Sequence, residues 1–179
     1  MAKPKNNIKK MEETKFVDLF AGIGGFRIAL EEQGFRCVFS SEWDKYSQKT
    51  YFENFKEMPY GDITKLKDEE IEKTIPAHDI LCGGFPCQAF SISGRQKGFG
   101  DTRGTLFFDI VRIAKAKMPK ILFLENVKNF KKHDDGKTFA KVMAVLDELG
   151  YNAFAKILNA SNYGAPTSRE RIYFVCFRK

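Results

Sequence analysis

Along this chain, short apolar runs alternate with amphipathic stretches. "KFVDLF" is an apolar run that ends in glycines and predicts a buried strand. "GFRIALEEQG" follows with Phe26, Ala29 and Leu30 on one helical face and Gly34 as a stop. That spacing leaves Arg27 and Ile28 on the exposed side. "FRCVFSSEW" predicts a second strand, and Asp44 is placed to cap a helix over "KYSQKTYFENF". "MPYGDI" predicts a third, short strand, and "KLKDEEIEKT" a polar helix. "HDILCGG" predicts strand four. "GTLFFDIVRIAKAK" then brings Leu106, Ile110, Ile113 and Ala114 into helical register. "KILFLENV" predicts strand five, and "KTFAKVMAVLDELG" a helix with Phe139, Val142, Met143, Leu146 and Leu149 in register. The last two runs, "YNAFAKILNA" and "RIYFVCFRK", have no helix between them and predict an antiparallel hairpin. The expected fold class is α/β: a mixed sheet of seven strands, parallel except for that closing hairpin, with helices on both faces.

Composition narrows the class. The chain has 179 residues, a net charge of +7 and 18 phenylalanines, enough for one domain with a substantial core. Residues 1–14 read as a basic N-terminal lead and 15–179 as the folded domain. "MAKPKNNIKKMEE" has no apolar h-region, so no signal peptide is expected, and no run is long enough to cross a bilayer. The four cysteines are scattered without CxxC spacing, which predicts thiols in a reducing cytoplasm and no metal site. Cys37, Cys82 and Cys176 lie in apolar runs and suit small buried hydrophobes. The basic charge favours a polyanionic partner.

In open α/β sheets, ligands bind beyond the carboxyl ends of the strands. Strand one ends in "DLFAGIGGF", where Gly22, Gly24 and Gly25 allow a tight turn. Arg27 stands where the last glycine of a GxGxxG dinucleotide fingerprint would be, which disfavours a nicotinamide reading. Strand two ends in "SEWD". Glu42, about 20 residues past the glycines, can accept from ribose hydroxyls, and Trp43 offers a flat face to a purine. Strand three ends in "GDI", where Asp62 can accept from an exocyclic amine or simply cap a turn. Together these ends describe a nucleoside pocket. Strand four delivers Cys87 in "CGGFPCQAFS", and strand five delivers Glu125. A thiolate and a carboxyl acid in one cleft suit covalent activation of an electrophilic ring, with sulfur adding to carbon while the acid bonds the ring nitrogen.

"FVDLFAGIGGF", "SEWDKY", "GDIT", "GFPCQAFSISG", "RGTLFFDI", "ENVKNF" and "RERIY", in this order from Lys15 to Arg178, resemble the cytosine-5 DNA methyltransferase family. The resemblance implies a Rossmann-like fold that uses S-adenosyl-L-methionine to methylate a cytosine flipped out of double-stranded DNA, as in restriction-modification systems. It implies Cys87 as nucleophile and Glu125 as acid, with Arg169 and Arg171 supporting the base and the Glu125 carboxyl. It implies Phe20, Ala21, Gly22, Gly24, Gly25, Glu42, Trp43, Asp62, Ile63 and Leu106 around the cofactor. Ser91, Ser93, Arg95, Lys97 and Arg103 would meet DNA from a loop over the site. The family's usual target-recognition domain and closing helix have no counterpart here. The chain is therefore expected to be the catalytic part of an enzyme completed by a second polypeptide, with little sequence-specific activity alone. A cytoplasmic, nucleoid-associated location in a prokaryote goes with this reading. A non-catalytic fragment, or an RNA cytosine-5 methylase, would use the same residues.

Overall fold

The computed structural model describes residues 13–85 and 106–179. Of the expected N-terminal lead, only Glu13 and Thr14 are among them. Among the described residues, six strands and five α-helices follow in the order β1 (Lys15–Leu19), α1 (Gly25–Glu31), β2 (Arg36–Ser41), α2 (Lys45–Phe55), α3 (Ile71–Thr74), β3 (Ile80–Gly84), α4 (Leu106–Lys117), β4 (Ile121–Val127), α5 (Lys137–Glu148), β5 (Tyr151–Asn159) and β6 (Glu170–Arg178). One sheet runs β2-β1-β3-β4-β6-β5. β2, β1, β3 and β4 are parallel, and β6 lies antiparallel between β4 and β5. The expected α/β class and closing hairpin are present.

The expected third strand is not. "MPYGDI" contributes only an isolated bridge between Ser41 and Tyr60, made by Tyr60 N–H donating to Ser40 O at 2.8 Å and Glu42 N–H to Tyr60 O at 2.9 Å. Pro59 has no N–H to continue a ladder, and Asp62 caps a 3-10 turn over Ile63–Lys65 at once. Among the described residues the sheet therefore has six strands instead of seven. The polar helix expected after it is broken into a 3-10 turn, Asp68–Glu70, and the four-residue α3. Pro76 biases Ile75 to extended backbone and ends it.

The strand period of two divides each strand between two faces. One face carries Val17, Leu19, Leu81, Leu122, Leu124 and Phe174, all fully buried. They form the main core with Ile110, Ile113 and Ala114 of α4 and Val142 and Leu146 of α5. The phenylalanines concentrate here. Phe85 lies 5.2 Å from Phe107 and 5.5 Å from Phe130, ring centre to ring centre, and Phe174 meets both Phe130 and Phe139.

The other face carries Phe16, Ile80 and Cys82 beneath Leu30 of α1. Arg27 is not exposed as its helical position suggested, but only 7% accessible. Its guanidinium donates to Tyr51 Oη at 3.0 Å, Glu31 Oε1 at 2.9 Å and Glu57 Oε2 at 2.6 Å, and lies 4.4 Å from the Phe55 ring centre. α2 supplies Tyr51 and Phe55, and Glu57 follows just past its end, so the partners that bury the arginine lie far from it in sequence. Asp44 caps α2 as expected, accepting from Ser47 N–H at 2.8 Å.

Candidate active site

The strands of the parallel half all end at one edge, and the glycine-rich turn after β1 opens there. Phe20 sits in left-handed backbone, φ 56°, a conformation that costs a non-glycine residue roughly 1–3 kcal/mol. Ala21 N–H is tied to Ser41 O at 2.9 Å. Gly22 N–H donates to Glu42 Oε2 at 2.8 Å, and Asp44 N–H to Glu42 Oε1 at 2.8 Å. Glu42 is thus buried and holds both loops, leaving only second lone pairs for a ligand hydroxyl. Gly24, at φ 96°, must be glycine, because a Cβ there would lie 2.1 Å from the Phe55 ring. Gly22 and Gly25 have open space where a Cβ would be, so the turn leaves room for a ligand against its backbone.

Trp43 stands 67% exposed beside Glu42, a large flat apolar face with little to cover it. Asp62 caps its turn through one oxygen, Oδ1, which accepts from Thr64 N–H at 3.0 Å and Thr64 Oγ1 at 2.7 Å. Ile63 is 2% exposed and belongs to the main core. Leu106 opens α4, half-buried.

Glu125 lies on β4 and points to the α1 face. Arg171 Nε donates to its Oε1 at 2.8 Å, reaching diagonally across the antiparallel β4–β6 pair. A Cβ on Gly84 would come within 3.3 Å of Glu125 Oε2, so the glycine gives the carboxyl its room. Burial pushes the Glu125 carboxyl above the ordinary range, while the charges of Arg171 and then Arg169 pull it down. Arg169 lies just before β6, with its amide donating to Asn159 Oδ1 at 3.0 Å. Arg171 thus touches Glu125, and the charge of Arg169 acts on the same carboxyl without a direct contact between them.

A cleft of about 1110 Å³ runs over this face from Phe20, Ala21, Gly25 and Phe26 past Glu125 and Arg169 to Phe154. It gathers five of the residues singled out from sequence: Phe20, Ala21, Gly25, Glu125 and Arg169. Gly22, Gly24, Glu42, Trp43, Asp62, Ile63, Leu106 and Arg171 do not line it. Cys87, Ser91, Ser93, Arg95, Lys97 and Arg103 lie outside the described residues. Among the described residues no group of three potential metal ligands occurs, and no helix is long and apolar enough to cross a membrane.

Two buried polar side chains were missed by the sequence reading. Asn126, 1% exposed, donates from Nδ2 to Phe85 O at 2.8 Å, and so ties β4 to the backbone two residues before Cys87. Asp18, fully buried on β1, has no hydrogen-bond partner for either oxygen among the described residues. In both cases a polar letter inside an apolar strand, "FVDLF" and "ILFLENV", was the available signal.

Residues 14–179 match the family described as C-5 cytosine-specific DNA methylase. The chain is 61% identical over 170 residues to the Type II methyltransferase M.HhaI of Haemophilus parahaemolyticus, covering 95% of this chain and 51% of that protein. It is 55% identical over 179 residues to the Type II methyltransferase M.HpaII of Haemophilus parainfluenzae, covering 98% and 49%. A crystal structure of a Spodoptera frugiperda DNMT2 variant superposes with a TM-score of 0.70 at 26% identity, over 93% of this chain and 50% of that one. The chain spans about half the length of the curated relatives it matches.

Proposed function

This chain belongs to the C-5 cytosine-specific DNA methylase family, and on that premise we propose that it is the catalytic, cofactor-binding part of an enzyme that methylates carbon 5 of a flipped cytosine in double-stranded DNA. The observation that carries the reading is Glu125, held by Arg171 at 2.8 Å, in a cleft that Phe20, Ala21 and Gly25 of the turn after β1 also line. Kinship with Type II methyltransferases supports a role in restriction-modification, in the cytoplasm of a prokaryote.

The residues fit S-adenosyl-L-methionine. Open space at Gly22 and Gly25 would admit its backbone contacts, Trp43 its purine and Glu42 its ribose, with Asp62 Oδ2 turned to an amine. Phe20, Ala21, Gly24, Ile63 and Leu106 would shape the surroundings. When bound, the cofactor supplies an electrophilic methyl group.

The chain's own residues prepare the cytosine. The Cys87 thiolate forms a bond from sulfur to carbon 6, and the ring's electrons move toward nitrogen 3. Glu125 meets that developing charge, holding a proton at nitrogen 3 and accepting from the exocyclic amine. Burial raises its carboxyl toward the protonated form that this task needs. Arg171 fixes the carboxyl's orientation. Carbon 5, now enamine-like, becomes nucleophilic. Loss of its proton and expulsion of the Cys87 thiolate restore the aromatic ring. Ser91, Ser93, Arg95, Lys97 and Arg103 would hold the DNA around the extruded base.

On the α1 face, β4, β6 and β5 present Phe123, Val175 and Tyr173 half-buried, with Phe154 64% and Phe177 46% exposed. Patches of this kind mark interaction surfaces. We read it as the seat of further polypeptide that brings base-specific recognition, because phosphate contacts alone carry no sequence information.

The test is a duplex carrying 5-fluorocytosine, incubated with the chain, the methyl donor and a polypeptide that supplies the recognition half. Fluorine replaces the proton that must leave carbon 5, so the sulfur–carbon bond should persist as an adduct under denaturing conditions. Cys87→Ser should abolish the adduct and Cys82→Ser should retain it. An adduct that survives Cys87→Ser refutes the assignment, and trapping on RNA but not DNA would move the substrate class to RNA. S-adenosylhomocysteine should also raise the melting temperature of the chain, whereas NAD should not.

A further inference from the structure

The turn that carries Asp62 is a single 3-10 turn, Ile63–Lys65, with one backbone bridge from Tyr60 to the sheet edge. Two backbone bonds close it, Lys65 N–H to Asp62 O at 3.2 Å and Leu66 N–H to Ile63 O at 3.1 Å, and a 3-10 turn of this length is weakly held by such bonds alone. At its start Asp62 Oδ1 is occupied by Thr64, which among the described residues leaves Oδ2 with Lys65 Nζ at 4.0 Å, an exposed contact. The backbone carbonyls of Ile63, which opens the turn, and of Leu66, which follows it, point toward α4.

Arg112 of α4 takes both. Its Nη2 donates to Ile63 O at 2.7 Å and its Nη1 to Leu66 O at 2.7 Å. Nη1 also reaches Asp68 Oδ1 at 3.2 Å. Nε donates to Asp109 Oδ1 at 2.8 Å, one helical turn earlier on α4, which fixes the plane of the fork. Only a guanidinium supplies this planar set of donors; an ammonium is a point charge on a flexible stem. The side chain is 21% exposed, so these bonds form away from most competing water. Four acceptors on one arginine exceed what packing α4 against the turn requires, and three of them lie on the segment that follows Asp62.

We propose that Arg112 is a positioning residue for the adenosine end of the site. It clamps the Ile63–Leu66 segment to α4, so that Asp62 Oδ2 is held in register with Glu42 and Trp43. It acts through the turn and does not itself touch the ligand. This inference rests on the cofactor reading given above.

The 179-residue chain itself is the test object, with S-adenosylhomocysteine as probe. Calorimetry should give a dissociation constant at least 10-fold higher for Arg112→Met than for the parent chain, with Arg112→Lys between the two. Asp62→Asn should weaken binding comparably. The double variant Arg112→Met, Asp62→Asn should be little weaker than either single one, since both changes remove the same oxygen's placement. Fully multiplicative losses in the double variant would overturn the inference. Amide hydrogen exchange provides a reading that needs no ligand. Amides 64–66 should exchange at least 10-fold faster in Arg112→Met, with those of Leu122–Leu124 in β4 unchanged. Normal exchange at 64–66 would overturn the clamp, and uniform acceleration through β4 would show Arg112 to be a general structural residue. A parent chain that fails to bind S-adenosylhomocysteine while amides 64–66 still respond would instead sink the cofactor reading, and the positioning role with it.

Discussion

The two faces of this sheet are built from the same strands and differ in almost everything else. Under α4 and α5, of twelve residues each, alternate positions of β1, β3, β4 and β6 form an apolar core with fully buried side chains. Under α1, of seven residues, the intervening positions hold Asp18, Cys82, Glu125 and Tyr173 in or beside an open cleft. Moving one residue along a strand moves from core to chemistry. The lesson is a division of labour by covering: long helices over one face supply stability, and the short helix over the other leaves room for a ligand and accepts buried charge. Phe20 in left-handed backbone, Arg27 folded inward and the buried carboxyl of Asp18 all lie on the costly side.

The largest test of this contrast compares two phenylalanines. Phe174 is fully buried among Phe85, Phe130 and Phe139, whereas Phe154 is 64% exposed on the cleft face. Phe174→Ala should cost about 3–5 kcal/mol in a denaturant titration, the usual range for emptying such a site. Phe154→Ala should stay within about 0.5 kcal/mol. Equal losses would mean that the cleft face is covered after all, and the division would fall.

What could be read from sequence followed the same division. The covered face was legible because its signal is periodic: Ile110, Ile113 and Ala114 on α4, and Val142 and Leu146 on α5, recur at helical spacing and are buried as expected. The cleft face was legible only where motif spacing spoke. Arg171 lies against Glu125, while Glu42 spends its oxygens on the amides of Gly22 and Asp44. Arg27 was assigned to solvent because amphipathicity counts a charge as polar; Tyr51 and Glu57, which bury it, lie 24 and 30 positions on. The strand expected at "MPYGDI" failed because Pro59 cannot donate and Asp62 caps a turn instead. The partners of Asn126 and Arg112 were not legible for a shared reason: each side chain bonds backbone carbonyls 41 or more residues away, and no local pattern announces such a partner.

The glycine turn sharpens the contrast within the cleft face itself. Gly24→Ala would force a side chain onto φ 96° and drive its Cβ to 2.1 Å from Phe55. A loss of about 2–4 kcal/mol is expected from left-handed strain plus overpacking. Gly25→Ala meets nothing within 4 Å and begins α1, so it should leave stability unchanged or slightly raised. Its methyl group would nevertheless enter the cleft and should weaken S-adenosylhomocysteine binding severalfold by calorimetry. A Gly25→Ala chain that binds as the parent does would remove this part of the turn from the proposed site.

The smallest expected effect concerns the charge beneath α1. Asp18 is buried on β1, facing the Arg27 guanidinium, the Glu42 carboxylate and the thiols of Cys37 and Cys82. Burial pushes its carboxyl up to about 7, against the pull of Arg27 and with a further push from Glu42. The folded chain therefore holds this proton more tightly than the unfolded chain does, whose carboxyl releases it near the ordinary value of about 3.9. From that lower value upward the unfolded state ionises first, so stability falls as pH rises and levels off above about 7. Across pH 5 to 8 the loss through this one group should be about 1–3 kcal/mol, at roughly 1.4 kcal/mol per unit. Asp18→Asn keeps the shape and cannot ionise. Its stability relative to the parent should thus be less favourable at pH 5 and more favourable at pH 8, measured as the difference in denaturation midpoints at the two values. Glu125 and Asp109 are also raised by burial, but both chains retain them, so the difference isolates Asp18. A difference that does not change with pH would mean that Asp18 stays ionised in the fold, with Arg27 as its counter-charge. The face under α1 would then hold a matched ion pair instead of a protonated acid, and its buried charge would not set it apart from the apolar face in pH response.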